Sequence, residues 1–185
     1  MLQALFAVPV FVTTLGFSHD ARLLLRERAM SAYRVNNINS KPWSRSTRES
    51  LLNQEPVFQD IFTNVISVAE MAFGVRVASI TGRELVQFDG DFVPPHVEPS
   101  MLSAIYWIDA AAEPKHACGD HNGSLVLQSP VGPFGTKVLP TEERVRFIDP
   151  MPDRLLVFPS HLVHFGHVYR APTPSVEVHF EMEIA

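Results

Sequence analysis

The chain has 185 residues, 46% hydrophobic and 19% charged, with a formal net charge of −5, which is the size and composition of one globular domain with its own core. No run of Lys and Arg is present that would track a phosphate backbone, so nucleic acid is not an expected partner. The single cysteine, Cys118, rules out an intramolecular disulfide and suits a reducing, cytoplasmic setting.

The N-terminus is apolar, but it carries Pro9 and meets its first positive charge only at Arg22. It therefore reads as a strand over Leu5 to Val12 and not as a signal peptide. Pro9 cannot donate to a ladder, which places that strand at a sheet edge. From Ser18, a plausible N-cap, to Tyr33, the spacing of Ala21, Leu24, Leu25, Ala29 and Ala32 predicts an amphipathic helix. Residues 36–55 read as a polar surface connection with at most a short helix at Glu49 to Leu52. A second helix opens at Pro56, buries Phe58, Ile61, Phe62, Val65, Ile66 and Ala69, and stops at Gly74. No segment approaches the roughly 18 consecutive apolar residues of a membrane span.

After Gly74 the pattern changes to short strands, predicted at 75–80, 84–88, 101–109, 124–128, 144–148, 154–158, 163–169 and 176–184. About eight strands suit a jelly roll. The expected architecture is mainly β: one jelly-roll domain over 1–185, with 1–73 as N-terminal strand and supporting helices and 74–185 as the barrel. Val176 to Ile184 alternates between apolar and polar, so one face should pack on a core and the other meet water or a cavity.

His96 and Glu98 are two residues apart, so on extended backbone both side chains project to one side. With a third ligand from a distant strand, two imidazoles and a carboxylate would hold one face of a metal and leave the other open. With eight histidines in the chain, His-x-Glu alone is a weak signal, and His161 and His167 compete with His164 for the third position. The loop with His116, Cys118, Asp120 and His121 matches no familiar zinc spacing and reads as polar loop.

The flanks add to the pair. Val86 to Glu98 followed by Leu102 to Asp109 resembles the first metal-binding segment of the prolyl-hydroxylase-like iron(II)/2-oxoglutarate oxygenases. Gly123 to Leu127 resembles that family's Gly-Gly-x-Leu-x-Leu strand, and Asp153 to His164 its Gly-Arg-Leu-Val-Leu-Phe-Pro-Ser-x-x-x-His segment. The opening Leu5 to Val10 is similar to a bacterial and phage branch of these oxygenases. The resemblance implies a double-stranded β-helix with His96, Glu98 and His164 as ligands of Fe(II), and 2-oxoglutarate as co-substrate. It further implies a dioxygenase that hydroxylates or otherwise oxidises a small-molecule or amino-acid-like substrate. The carboxylate at Glu98 speaks against halogenation, which needs that position open for chloride.

One departure stands out. The family holds the far carboxylate of 2-oxoglutarate with a basic residue about ten positions after the distal His, and Thr173 to His179 contains no Arg or Lys. Arg170 is the expected replacement, with Arg154, Arg146 and Lys137 as other candidates, and Gln87 and Tyr106 as further co-substrate contacts. An iron oxygenase that needs no oxoacid, and a non-catalytic jelly-roll binding module, are the competing readings.

Overall fold

The computed structural model describes residues 8–36, 52–130 and 144–185. Strand β1 (Phe11–Thr14) is followed by α1 (His19–Asn36) and α2 (Gln59–Phe73). Then come β2 (Val77–Gln87), β3 (Val93–His96), β4 (Leu102–Asp109), β5 (Leu125–Gln128), β6 (Val145–Ile148), β7 (Arg154–Pro159), β8 (His164–Gly166) and β9 (Ser175–Ile184).

The strands form two antiparallel sheets, in the orders β1-β7-β4-β9-β2 and β3-β8-β5-β6. Strands β2 to β9 divide between the sheets four and four, the arrangement of a double-stranded β-helix. The expected number of barrel strands is therefore present, although two local readings differ. Thr81-Gly82-Arg83 reads as a break in the sequence, whereas β2 runs through it and pairs with β9 from Val77 to Gln87. A glycine is needed there because a Cβ would lie 2.7 Å from Cζ of Phe62, on the helix that covers this sheet. Conversely, Val93-Pro94-Pro95-His96 is not predicted as a strand. It forms β3 because an edge strand bonded on one side tolerates prolines.

An N-terminal strand does occupy an edge, beside β7, but it spans Phe11–Thr14, so Val8, Pro9 and Val10 of the predicted strand precede it. Residues 5–7 of the predicted first strand, most of the 36–55 connection and Lys137 lie outside the described residues. Ser18 caps α1, its Oγ accepting from the Ala21 amide at 3.2 Å. The buried stripe of that helix is narrower than predicted: Leu25 and Ala29 are buried, but Leu24 is 57% exposed. It precedes Leu25 by one residue, a rotation of about 100° away from the sheet. A 3-10 turn, Pro56–Phe58, leads into α2, and Gly74 ends it in the left-handed region at φ 66°. No helix among the described residues is long and apolar enough to cross a membrane.

Two cores result. One lies between the helices and the outer face of the larger sheet, joining Leu25, Phe58, Ile61, Phe62 and Val65 to Tyr106, Val178, Phe180 and Met182. The other fills the barrel with Ile105, Trp107, Leu125, Leu127, Ile148, Leu156, Phe158 and Leu162. Strand β9 divides as its alternation predicts. Val176, Val178, Phe180 and Met182 join the helix-side core, while Ser175, Glu177 and His179 are buried on the barrel side.

Candidate metal centre

His96 on β3 and His164 on β8 are directly opposite in the smaller sheet, so their side chains share a face. Their ring centroids lie 4.2 Å apart. Glu98 follows β3, and its amide donates to the Ser160 carbonyl at 3.2 Å, tying the β3–β4 connection to the end of β7. A serine cluster reinforces the junction, with Ser160 Oγ 2.9 Å from Ser100 Oγ and 2.7 Å from Ser103 Oγ. One ligand atom each of His96, Glu98 and His164 lies within 4.8 Å of the others.

The second nitrogen of each imidazole has a partner. Nδ1 of His96 is 2.8 Å from the Pro94 carbonyl, and Nδ1 of His164 is 2.9 Å from the Leu162 carbonyl. A carbonyl only accepts, so Nδ1 carries the proton and the Nε2 lone pair is left for coordination in the neutral ring. Burial lowers the pKa of His164 to about 4 against the raising effect of that carbonyl, so the ring is neutral near pH 7. The hydrogen bond to Glu98 leads the effects that raise His96, outweighing its burial. Burial raises Glu98, yet the hydrogen bond from His96 and the charge of Arg83 together bring it down to about 2. The donor set therefore fits a divalent ion: two imidazole nitrogens and an ionised carboxylate, each oriented by a second contact.

The cation at this centre is one the sequence reading did not single out. Arg83, on β2 opposite His179, places Nη2 2.5 Å from Glu98 Oε1 and Nη1 3.5 Å from Glu181 Oε1. With Glu98, Ser103, Phe158, His164 and His179 it lines a small cavity of about 10 Å³, space for about one water. The signal was available: Arg83 lies four residues before Gln87 and so shares its face once β2 is read as unbroken.

The other candidates lie apart. Tyr106 is in the helix-side core and donates to Asp153 at 2.9 Å; it faces away from the barrel because Ser103, Ile105 and Trp107 hold the opposite parity. Arg170 has an exposed side chain and a backbone joined to Asn122 through hydrogen bonds of 2.7 and 2.8 Å. Arg154 bonds the Asp149 carbonyl at 2.7 Å. Arg146 shares the row of His164, with Leu127 between them. Gln87 does face the barrel, where its amide donates to Glu177 Oε1 at 3.4 Å. Glu177 also accepts from Ser175 Oγ at 3.0 Å and from His179 Nε2 at 3.0 Å. For a dicarboxylate the wall is thus a divided fit, with one guanidinium at the metal end and a buried carboxylate behind it. His116 and His121 meet at 2.7 Å, and His116 turns its other nitrogen to Asp149 at 2.8 Å. That makes a hydrogen-bonded chain.

No protein-family model matches the chain, and no curated protein matches it in sequence. Solved structures do. A prolyl-4-hydroxylase from Pseudomonas putida is 10% identical, with 95% of this chain and 93% of that one covered and a TM-score of 0.65. HygX from Streptomyces hygroscopicus, solved with nickel and 2-oxoglutarate bound, is 10% identical over 95% of this chain and 83% of that one, with a TM-score of 0.68. A prolyl hydroxylase from Trichoplax adhaerens, in complex with a hypoxia inducible factor peptide fragment, is 14% identical over 94% and 83%, with a TM-score of 0.66. At these identities the likeness is one of fold, and the fold is that of the 2-oxoglutarate/iron(II) oxygenases.

Proposed function

We propose that the protein is a non-haem iron(II) dioxygenase that oxidises a small-molecule or amino-acid-like substrate. The observation that carries this reading is the convergence of His96, Glu98 and His164, both imidazoles presenting Nε2 to a common point. Two imidazoles and one carboxylate on one side of a metal are the donor set of iron centres that leave positions open for other ligands. Bound there, iron would supply dioxygen activation and the oxidising step. The chain's own residues orient and shield. The Pro94 and Leu162 carbonyls hold the rings, Arg83 keeps Glu98 ionised and aimed inward, and Phe158 packs edge-on against His164 at 4.9 Å.

The fold and the sequence resemblance favour 2-oxoglutarate as co-substrate. A second reading, an iron oxygenase that uses no oxoacid, is favoured by the barrel-side residues of β9, which are Ser175, Glu177, His179 and Glu181 and include no Arg or Lys. Anaerobic Fe(II) titration of the purified protein, followed by oxygen uptake with and without 2-oxoglutarate, tests these readings. Stoichiometric Fe(II) uptake, lost in His96→Ala and His164→Ala, is the expected result. Turnover without any oxoacid moves the assignment to the second reading. Absence of both Fe(II) and Mn(II) uptake removes the oxygenase reading and leaves a non-catalytic binding module.

A further inference from the structure

The cavity behind the metal ligands carries an unusual charge arrangement. Glu98, Glu181 and Arg83 face it, so a bound divalent ion leaves one surplus positive charge when the imidazoles are neutral. One hydrogen bond farther in lies Glu177, 4% exposed, joined to the cavity wall through His179 at 3.0 Å. Its remaining partners, Ser175 and Gln87, are uncharged. A carboxylate pushed to this depth would meet another carboxylate in surroundings that screen charge poorly. Trp107, opposite Glu177 in the β4–β9 ladder, has a buried indole N–H with no hydrogen-bond partner among the described residues. That donor suits a carbonyl or hydroxyl.

We propose that Arg83 anchors the carboxylate of a ligand bound at the metal, and that Glu177 restricts this ligand to a single carboxylate with an uncharged tail. The inference rests on the iron-oxygenase reading and names its co-substrate class: a monocarboxylic 2-oxo acid in preference to a dicarboxylic one. Arg83 is suited to the role because its fork of five N–H donors already bridges Glu98 and Glu181. When a metal shares the charge of Glu98, that carboxylate holds the guanidinium less strongly, and a ligand carboxylate beside it becomes the stronger partner. The position lies on β2, where the register of the β2–β9 ladder puts the residue opposite His179. Arg146 is the rival anchor. It stands in the His164 row but two strands away, about 10 Å between backbones, on an edge strand and exposed.

The test is an anaerobic titration of the Fe(II)-loaded full chain with pyruvate and, separately, with 2-oxoglutarate, read by the visible band of a metal-chelated 2-oxo acid. The wild-type protein is expected to bind pyruvate at least about tenfold more tightly than 2-oxoglutarate. Arg83→Gln, titrated at saturating Fe(II), should weaken pyruvate about tenfold or more, with partial recovery in Arg83→Lys. Glu177→Gln should narrow the preference by admitting 2-oxoglutarate. Tighter binding of 2-oxoglutarate than of pyruvate by the wild type overturns the proposal without any variant. So does dicarboxylate binding that Arg146→Gln abolishes and Arg83→Gln spares. An Fe(II)-loaded protein that gives no band with either acid overturns it too, and leaves the oxygenase reading in its oxoacid-independent form. Failure to take up Fe(II) removes both, and is recognised before any acid is added.

Discussion

At the scale of single residues, the three proposed metal ligands differ in how they meet a proton. His164 is neutral throughout the neutral range because burial lowers its pKa to about 4, and Glu98 is ionised down to about 2. His96, raised by its hydrogen bond to Glu98, holds a proton at higher pH than a free imidazole does. A metal binds only the unprotonated ring, so metal uptake displaces that proton. Metal affinity should therefore be constant above the raised pKa of His96 and fall about tenfold per pH unit below it. Calorimetric titration between pH 5.5 and 8.5 in buffers of differing ionisation heat checks this; a midpoint below the ordinary imidazole value would contradict it. The convergence of His96, Glu98 and His164 was legible from motif and resemblance. Arg83 was not, because a glycine beside it imitates a turn, and Tyr106 was misjudged because its motif neighbours face the barrel while it does not.

At the scale of elements, Gly82 and Asp153 show what local patterns conceal. The helix α2 comes so close to β2 that Gly82→Val would drive a side chain into Phe62 and Phe180, with an expected loss of about 1–3 kcal/mol. Chemical denaturation measures it, and a variant as stable as wild type would show that α2 can withdraw. Asp153 stands at φ 68°, where glycine is favoured and where the resembled motif has glycine. Its carboxylate accepts from the amides of Gly16 at 2.8 Å and Phe17 at 3.1 Å and from the Tyr106 hydroxyl at 2.9 Å. It thereby fastens the segment after β1 to β4 and β7. Asp153→Ala loses those bonds and keeps the unfavourable φ, so about 2–4 kcal/mol of destabilisation is expected. Asp153→Gly should cost less by relieving the backbone. Denaturation midpoints of the two variants decide between them. Strand alternation and helix spacing were legible where one face was purely apolar, as in β9. They misled where tertiary contact overrode them, at Gly82 and at Pro94-Pro95.

For the whole molecule, the strand number was legible but the divisions were not: one strand was read as two, and the proline-rich β3 was missed. The topology explains both errors, since β2 gains continuity from its long ladder with β9 and β3 needs only the one partner, β8. Because the proposed ligands come from β3, its following turn and β8, a bound ion would join segments distant in sequence. Saturating Mn(II) should raise the thermal midpoint, by an amount equivalent to about 2.7 kcal/mol at a hundred times its dissociation constant. Chelator should reverse the gain, and Glu98→Ala should not show it.

The two histidines proposed to hold the ion stand on the four-stranded sheet, whereas Arg83 and Glu177 stand on the five-stranded one. On the proposed reading, the imidazoles that hold the ion and the side chains that choose what joins it stand on opposite walls of the barrel. Substitutions on the five-stranded wall would then change which acid is taken up while the imidazoles of the other wall stayed in place.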